Sequence, residues 1–367
     1  MTAAAGEIFR ARRGRRLTVN PEPFRIEPKF VPRIWGMRSL APLYPEKTNL
    51  SDPIGEVWLT GVDCKIATGS FAGKTLGEAW REMPAEWRGT FFREPGDFPI
   101  LIKFIFPNDK LSIQVHPDDA YAAEHEKAAD GRGKTEMWHV VSAEPGASLL
   151  LGLKPGVTRE TFVKAVESHT LEHLFQRHEV QTGDTYFVAA GIPHTIGPHM
   201  VICEVQEYSD ITYRVYDYGR VDSFGKPREL HVAKALEVIK FCHSQGVRTT
   251  PLRMPAERAS RTLLAASPYF AAERWEFLPA VPCSSNAAFF ELLTVLAGKG
   301  YIHWRGSHMM YDQGECWVLP ASLGRYSLQP ELKSAVIRSY IPNMASLSAD
   351  LLKSGVAKEA LAGAVFA

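Results

Sequence analysis

The 367-residue sequence predicts a mainly β protein made of two antiparallel barrels with a few helices packed on them. Short apolar segments separated by Gly and Pro recur along the chain, which is typical of strands joined by tight turns. Between residues 111 and 116, apolar and polar residues alternate with the period of a strand. The segments 183–190 and 314–321 share one pattern, a Gly and an acid, then an apolar strand, then a small-residue turn. This repetition indicates that the second barrel is a copy of the first.

The first part of the chain combines these strands with helices. Residues 21–35 are rich in Pro and aromatic side chains and predict an extended arm. The segments 98–106 and 147–151 are strongly apolar, so the polar strand between them should lie inside the sheet system. Asp118 and Thr158 are predicted helix N-caps. Helices are predicted at 75–87, 118–130, 158–178 and 229–241, and further strands at 55–72, 185–189, 200–206 and 211–218.

A break in the pattern at 244–255, with Gly, Thr and Pro, predicts the start of a second domain. The second barrel contains His303 and His308, but we expect no Glu or Gln in register with those of the first barrel. We therefore interpret the second barrel as a structural copy. Strands are predicted at 269–277, 287–296, 300–304, 315–320, 324–328 and 335–340. The predicted divisions are a flexible basic arm at 1–20, a first domain at 21–243, a second at 244–345 and a tail at 346–367.

Composition narrows the class of protein. A formal net charge of +1 does not favour a nucleic-acid partner, and no apolar run approaches the length of a membrane span. The basic N-terminal residues lack the apolar core of a secretory signal, although an organellar transit peptide stays an alternative to a disordered arm. Five scattered cysteines favour free thiols in a reducing compartment, so we predict a cytoplasmic protein.

Candidate metal ligands lie on the polar strand and on its neighbours. Alternation places Gln114 and His116 on one face of their strand, and a second short strand places Lys134 and Glu136 together on one face. A turn after an apolar strand presents His194. These N and O donors are of the kind that hold zinc or a similar divalent ion. The alternative is that these residues simply form the solvent-exposed face of a half-buried sheet. If they are buried instead, Gln, His and Glu need partners, and one metal ion satisfies all of them.

Five long motifs stand out within about residues 21–231, at 101–104, 109–119, 133–138, 191–197 and 204–218. Together they resemble type I mannose-6-phosphate isomerase. The resemblance implies a zinc enzyme with one ion per chain, a metal-binding catalytic cupin (jelly-roll) domain and a metal-free second cupin domain. It also implies that Gln114, His116, Glu136 and His194 bind the metal and that Arg214 is catalytic. His139, where the family often has Tyr, and the extra basic arm depart from the pattern.

The implied reaction interconverts mannose 6-phosphate and fructose 6-phosphate by moving a proton between C1 and C2. Strand alternation lets Glu204 and Arg214 face the barrel interior, where Arg214 would hold developing negative charge or position the substrate. Glu204 or a metal-bound water is the candidate base. Lys134 suits contact with a phosphate or hydroxyl group, with help from Ser112. A structural salt bridge is the alternative role for Lys134 and Glu204. We expect a sugar phosphate substrate and a monomer or weak homodimer.

Two other functions compete with this interpretation. His169, Glu172 and His173 satisfy the H-x-x-E-H pattern of a zinc protease, provided that the segment is helical. A non-enzymatic cupin that binds a sugar is the other alternative.

Overall fold

The computed structural model describes residues 20–41, 43–92, 96–127, 131–222, 224–241 and 247–366. The basic arm predicted for residues 1–20 lies, except for Asn20, outside these ranges.

The described residues contain 23 strands and seven α-helices. The strands of the first part are β1 (Phe24–Ile26), β2 (Lys29–Met37), β3 (Ile54–Trp58), β4 (Ile100–Ile105), β5 (Ile113–Val115), β6 (Glu136–Ala143), β7 (Ser148–Leu153), β8 (Phe175–Glu179), β9 (Thr185–Val188), β10 (His194–Ile196), β11 (Met200–Glu207), β12 (Tyr213–Tyr216) and β13 (Val247–Arg248). Those of the second part are β14 (Leu252–Met254), β15 (Ser260–Ala266), β16 (Ala271–Phe277), β17 (Val281–Ser284), β18 (Glu291–Ala297), β19 (Gly300–Trp304), β20 (Ser307–Tyr311), β21 (Cys316–Leu319), β22 (Arg325–Pro330) and β23 (Ser334–Tyr340). The helices are α1 (Leu76–Glu82), α2 (Ala85–Arg88), α3 (Asp119–His125), α4 (Arg159–Glu167), α5 (Val232–Val238), α6 (Met344–Lys353) and α7 (Lys358–Leu361).

Two sheets form the first barrel. The larger has the order β13-β9-β6-β11-β4-β3-β2, and the smaller has the order β12-β5-β10-β7-β8. Buried side chains from both sheets, among them Trp138, Leu149 and Ile202, pack into one apolar cluster. All six residues of β4 are buried, as the apolar run 98–106 predicted. The polar strand β5 therefore belongs to a sheet that closes over a packed core.

The second barrel repeats this arrangement. Its larger sheet has the order β1-β21-β18-β23-β16-β15-β14, and its smaller sheet has the order β17-β22-β19-β20. Trp317, Val295 and Ile302 are part of its own apolar cluster. The prediction of a mainly β protein with two barrels is confirmed.

Two short strands connect the barrels. The N-terminal strand β1 pairs with β21 of the second barrel, and β13 pairs with β9 of the first. Phe366, near the C-terminus, stacks on Phe187 of the first barrel with the ring centroids 4.1 Å apart. The predicted domain limits stay a prediction, and any boundary near residue 244 has to accommodate these crossings.

The predicted helix N-caps are present, but the predicted helices are longer than those observed, the one at 158–178 by the most. The side chains of Asp118 and Thr158 accept hydrogen bonds from backbone N–H groups in the first turns of α3 and α4. We predicted a helix through residue 178, whereas α4 ends at Glu167. His169 then adopts a φ of 57°, in the left-handed region that an α-helix excludes. Within the described ranges, no helix is long and apolar enough to cross a membrane.

The strand pairing places a carboxylate at the same point of both barrels. Glu136 at the start of β6 pairs with Val188, five residues after Gly183. Glu291 at the start of β18 pairs with Leu319, five residues after Gly314. The expectation that the second copy has no Glu in matching register is therefore wrong. The sequence repeat did not reveal Glu291, because β18 lies before the repeated segment and only pairing relates the two.

Candidate active site

Three of the predicted metal ligands meet inside the first barrel. His116 follows β5, Glu136 begins β6 and His194 begins β10, and all three side chains are buried. Their candidate ligand atoms lie within 4.8 Å of one another. Gly191 has a φ of 86°, and the oxygen of Val238 lies 2.8 Å from where a Cβ would stand. The turn that leads to His194 therefore needs glycine.

Both imidazole rings direct Nε2 toward Glu136. His116 Nδ1 lies 2.8 Å from the carbonyl oxygen of Ile211, and His194 Nδ1 lies 2.9 Å from that of Ile192. A carbonyl oxygen only accepts, so Nδ1 carries the proton in each ring and Nε2 keeps its lone pair. Burial lowers the pKa of His194 to about 3 and the pKa of His116 well below its usual value. Both rings are therefore neutral at neutral pH, as metal ligation requires.

The carboxylate of Glu136 completes the donor set. Its Oε1 lies 3.7 Å from His116 Nε2 and 3.4 Å from His194 Nε2, and of the three candidate ligand atoms it is the one without a hydrogen-bond partner among the described residues. A buried carboxylate oxygen without a partner is costly, and a cation between it and the two imidazole nitrogens would remove that cost. Two imidazole nitrogens and one carboxylate oxygen fit a catalytic zinc site. The amide nitrogen of Gln114 lies 3.3 Å from His194 Nε2 and donates a hydrogen to it, so Gln114 borders the set through an N–H group and not through a lone pair.

Lys134 supplies a positive charge beside this set. Its Nζ forms an ion pair with Glu136 and lies 3.2 Å from His116 Nε2. Burial alone would lower the pKa of Lys134, but the carboxylates, Glu136 foremost, outweigh burial and raise it. The loop that carries Lys134 is held closely, because a Cβ on Gly133 would stand 2.6 Å from the backbone nitrogen of Asp119. The sequence placed Lys134 and Glu136 on one face, and their side chains do meet.

A cavity of about 360 Å³ opens beside the donor set. Gln114 and Lys134, which contact the three donors, are part of its wall. Five cationic side chains and three carboxylates line the cavity, so cations outnumber carboxylates on its wall. The cations are Arg33, Lys103, Lys134, Arg214 and Arg228, and the carboxylates are Glu56, Glu204 and Asp210.

The other predicted site residues face the same cavity. Glu204 is buried, accepts a hydrogen bond of 3.0 Å from Trp138 Nε1, and lies 3.8 Å from Lys134 Nζ. Burial raises the pKa of Glu204 against the opposing effect of Lys134. Arg214 donates from Nη1 to the carbonyl oxygen of Glu229 at 2.8 Å, and its Nε is buried without a partner among the described residues. Ser112 Oγ lies 3.4 Å from Gln114 Oε1.

Sequence reasoning missed Lys103, the only charged residue in the apolar run 98–106. Its Nζ donates to Asp210 at 2.8 Å and lies 3.9 Å from Glu56 and 4.0 Å from Glu204. Burial opposes the charge on Lys103, but Asp210 and the other carboxylates raise its pKa. A charged residue inside an otherwise apolar strand is the signal that could have identified it.

The segment of the protease alternative does not have the geometry that this alternative needs. The H-x-x-E-H pattern requires its two histidines one helical turn apart, but His169 lies outside α4. Glu172 and His173 lie in a 3₁₀ turn, Leu171–Leu174. The carboxylate of Glu172 accepts hydrogen bonds from Lys110 Nζ at 2.7 Å and from Tyr218 Oη at 2.9 Å. Among the described residues, the His116–Glu136–His194 set is the single cluster of three His, Cys, Asp or Glu side chains suited to a metal.

The chain is similar to known proteins of one kind. Residues 24–141 match the family model for the catalytic domain of type I phosphomannose isomerase. The probable mannose-6-phosphate isomerase GmuF of Bacillus subtilis is 33% identical over 316 residues, which cover 84% of this chain and 96% of that protein. A mannose-6-phosphate isomerase of Streptococcus mutans is 31% identical, with coverage of 85% and 96%.

A solved structure gives the same result. The mannose 6-phosphate isomerase of Bacillus subtilis superposes with a TM-score of 0.78 at 29% identity and covers 86% of this chain and 99% of that one. The fold is accordingly a cupin fold. With two relatives more than 30% identical along nearly their whole length, the chain belongs to the type I mannose-6-phosphate isomerase family.

Proposed function

We propose that this protein is a zinc-dependent isomerase that interconverts mannose 6-phosphate and fructose 6-phosphate. The observation that carries the proposal is the buried His116–Glu136–His194 set beside a cavity on whose wall cationic side chains outnumber carboxylates. Its family membership supports the same reaction.

His116, Glu136 and His194 would hold the ion, one per chain, with Gln114 as a further ligand. A bound divalent ion polarises sugar oxygens and so makes the hydrogens on C1 and C2 more acidic. Zinc is the best match because two imidazoles and one carboxylate with an open position are a common catalytic zinc set. The Nδ1 hydrogen bonds to backbone carbonyls fix both imidazole rings in the required tautomer.

Glu204 is the proposed base that moves the proton between C1 and C2. Its buried carboxyl group has a raised pKa, which makes it better suited to accept and return a proton than a fully solvated carboxylate. The Trp138 N–H keeps one of its oxygens fixed, so the other, Oε1, is the one available for the transfer. Arg214 holds the negative charge that develops on the sugar oxygens, since its guanidinium has no carboxylate partner among the described residues.

Lys134 and Ser112 are the proposed substrate-binding residues near the donor set. The ammonium of Lys134 can donate to a sugar hydroxyl, and the hydroxyl of Ser112 lies on the same wall. The phosphate group is attracted by the excess of cations, among which Arg228 is oriented by hydrogen bonds to Asp217. A sugar without the phosphate gains nothing from this excess charge.

The test is a coupled assay of the purified protein on mannose 6-phosphate, with zinc content measured on the same sample. We expect about one zinc per chain, loss of turnover after chelation and recovery on adding zinc. His116→Ala and His194→Ala should each lose metal and turnover together, whereas His199→Ala, a change at an exposed histidine, should alter neither. Full turnover in metal-free protein would exclude a metal-dependent isomerase.

Location and assembly follow as further parts of the proposal. A cytoplasmic enzyme is consistent with the four described cysteines, which are all free thiols. A monomer or weak homodimer is proposed, and sedimentation of the purified protein over a range of concentrations would test it.

A further inference from the structure

The strand pairing relates the buried charges of the two barrels residue by residue. Starting from the equivalent carboxylates Glu136 and Glu291, pairing across the larger sheet leads to β11 and β4 in the first barrel and to β23 and β16 in the second. The equivalent pairs are Glu56 and Arg261, Lys103 and Glu273, and Glu204 and Arg338. At all three positions the sign of the charge is reversed.

In the second barrel these reversed charges balance one another. The carboxylate of Glu273 accepts hydrogen bonds from Arg261 Nη2, Trp275 Nε1 and Tyr340 Oη, each at 2.8 Å. Arg338 donates to Glu273 and to Glu291. The cluster therefore contains two guanidinium groups and two carboxylates with no net charge.

A second cavity, of about 420 Å³, opens over this cluster. Arg261, Glu273 and Arg338 line it, just as the equivalent Glu56, Lys103 and Glu204 line the cavity of the first barrel. The Nε atoms of Arg261 and Arg338 are buried and have no hydrogen-bond partner among the described residues.

The rest of the wall mixes planar polar groups with apolar surface. Asn286, Asn343 and Asp350 add amide and carboxylate groups, and Phe289 and Leu347 add buried apolar side chains. Phosphate would meet no excess of positive charge here, because the two arginines are matched by Glu273 and Glu291. Hydroxyl groups that both donate and accept, on a ring with apolar C–H faces, match such a wall.

We propose that the second-barrel cavity binds a neutral sugar of about hexose size, separately from the sugar-phosphate site of the first barrel. This binding goes beyond the proposed isomerase activity, and its test rests on that proposed function in blocking the first-barrel site and in checking that the variants are folded. An affinity on the order of millimolar is expected, since a ligand of about a dozen heavy atoms makes few contacts.

The experiment measures binding of D-mannose to the full-length protein by saturation-transfer NMR. The first-barrel site is filled beforehand with an equilibrated excess of mannose 6-phosphate and fructose 6-phosphate. We expect saturable mannose binding under these conditions. Complete loss of the mannose signal as the sugar phosphates are added would overturn the proposal, because it would mean that both sugars use one site.

Two variants of α6 locate the binding. Ser346→Trp places a bulky ring at the wall of the second cavity without touching the buried charge cluster, and it should abolish mannose binding. Ala345→Trp, at the neighbouring exposed position that does not line the cavity, is the matched control and should bind mannose normally. Both variants should keep wild-type isomerase turnover, which also shows that they are folded. Mannose binding that survives in Ser346→Trp would refute this location.

Discussion

Arg214→Ala should separate a catalytic arginine from a structural one. Arg214 lines the first-barrel cavity, and among the described residues the one hydrogen bond of its side chain is from Nη1 to the carbonyl oxygen of Glu229. It forms no ion pair within the described residues, in contrast to Arg33, which holds Glu56 through Nε at 2.8 Å and Nη2 at 3.0 Å. The structure therefore gives Arg214 little to stabilise in the free protein and leaves most of its donors for a ligand.

The two roles predict effects of different size. Loss of one hydrogen bond to a carbonyl costs about 1 kcal/mol of unfolding free energy, equivalent to roughly 1–2 °C in melting temperature for a chain of 367 residues. Loss of a donor that stabilises charge in the transition state costs on the order of a hundred- to a thousand-fold in turnover. Arg214→Lys should recover part of that turnover, because an ammonium keeps the charge but lacks the planar fork.

The assay is steady-state kinetics on mannose 6-phosphate, with zinc content and a thermal melt measured on each preparation. Arg159→Ala is the matched control, since the exposed Arg159 also donates to one carbonyl oxygen, that of Leu236 at 3.3 Å, but does not line the cavity. Arg159→Ala should keep full turnover. Near-normal turnover in Arg214→Ala would refute the catalytic role, and an early melt or loss of zinc would make the residue structural.

Three further predictions follow from the site. His194→Ala should lose zinc and turnover but keep its cooperative unfolding, since the barrel core does not depend on this ring. Metal analysis and a thermal melt check this, and full zinc occupancy would contradict the ligand set. His169→Ala combined with His173→Ala should leave zinc content and turnover unchanged, and any loss of metal would reopen the protease alternative. Burial raises the pKa of Glu207 to about 8, above its unfolded value, so protonation favours folding and this contribution is lost as the pH rises through 8. The free energy of unfolding, measured with denaturant, should therefore fall less steeply between pH 5 and 8 in Glu207→Gln than in the wild type, which loses roughly 1.4 kcal/mol per pH unit from this group. Equal slopes in the two proteins would refute the shifted pKa.

The parts of the site that could be predicted from sequence are those set by local geometry. The period of two in a strand placed Gln114 and His116 on one face, and the turn before His194 was visible from Gly191 and Pro193. Lys103 could not be assigned a role, because its partners lie on other strands and only the sheet order brings them together. The helix through residue 178 was predicted too long because the spacing of apolar residues gives no sign that His169 adopts a left-handed backbone conformation.

The strand pairing of the two barrels explains why only the first has the donor set of a metal centre. His194 begins β10 and pairs with Gln114, and Arg325 begins β22 and pairs with Ser284 at the equivalent place. The second barrel therefore retains the carboxylate as Glu291 but replaces an imidazole by a guanidinium, which has no lone pair for a metal. A buried carboxylate still needs a positive charge, and Arg338 supplies it to Glu291. In the first barrel Glu204 occupies the place of Arg338, and Lys134 pairs with Oε2 of Glu136. Oε1 has no partner among the described residues and is free for an ion that also leaves a position open for substrate.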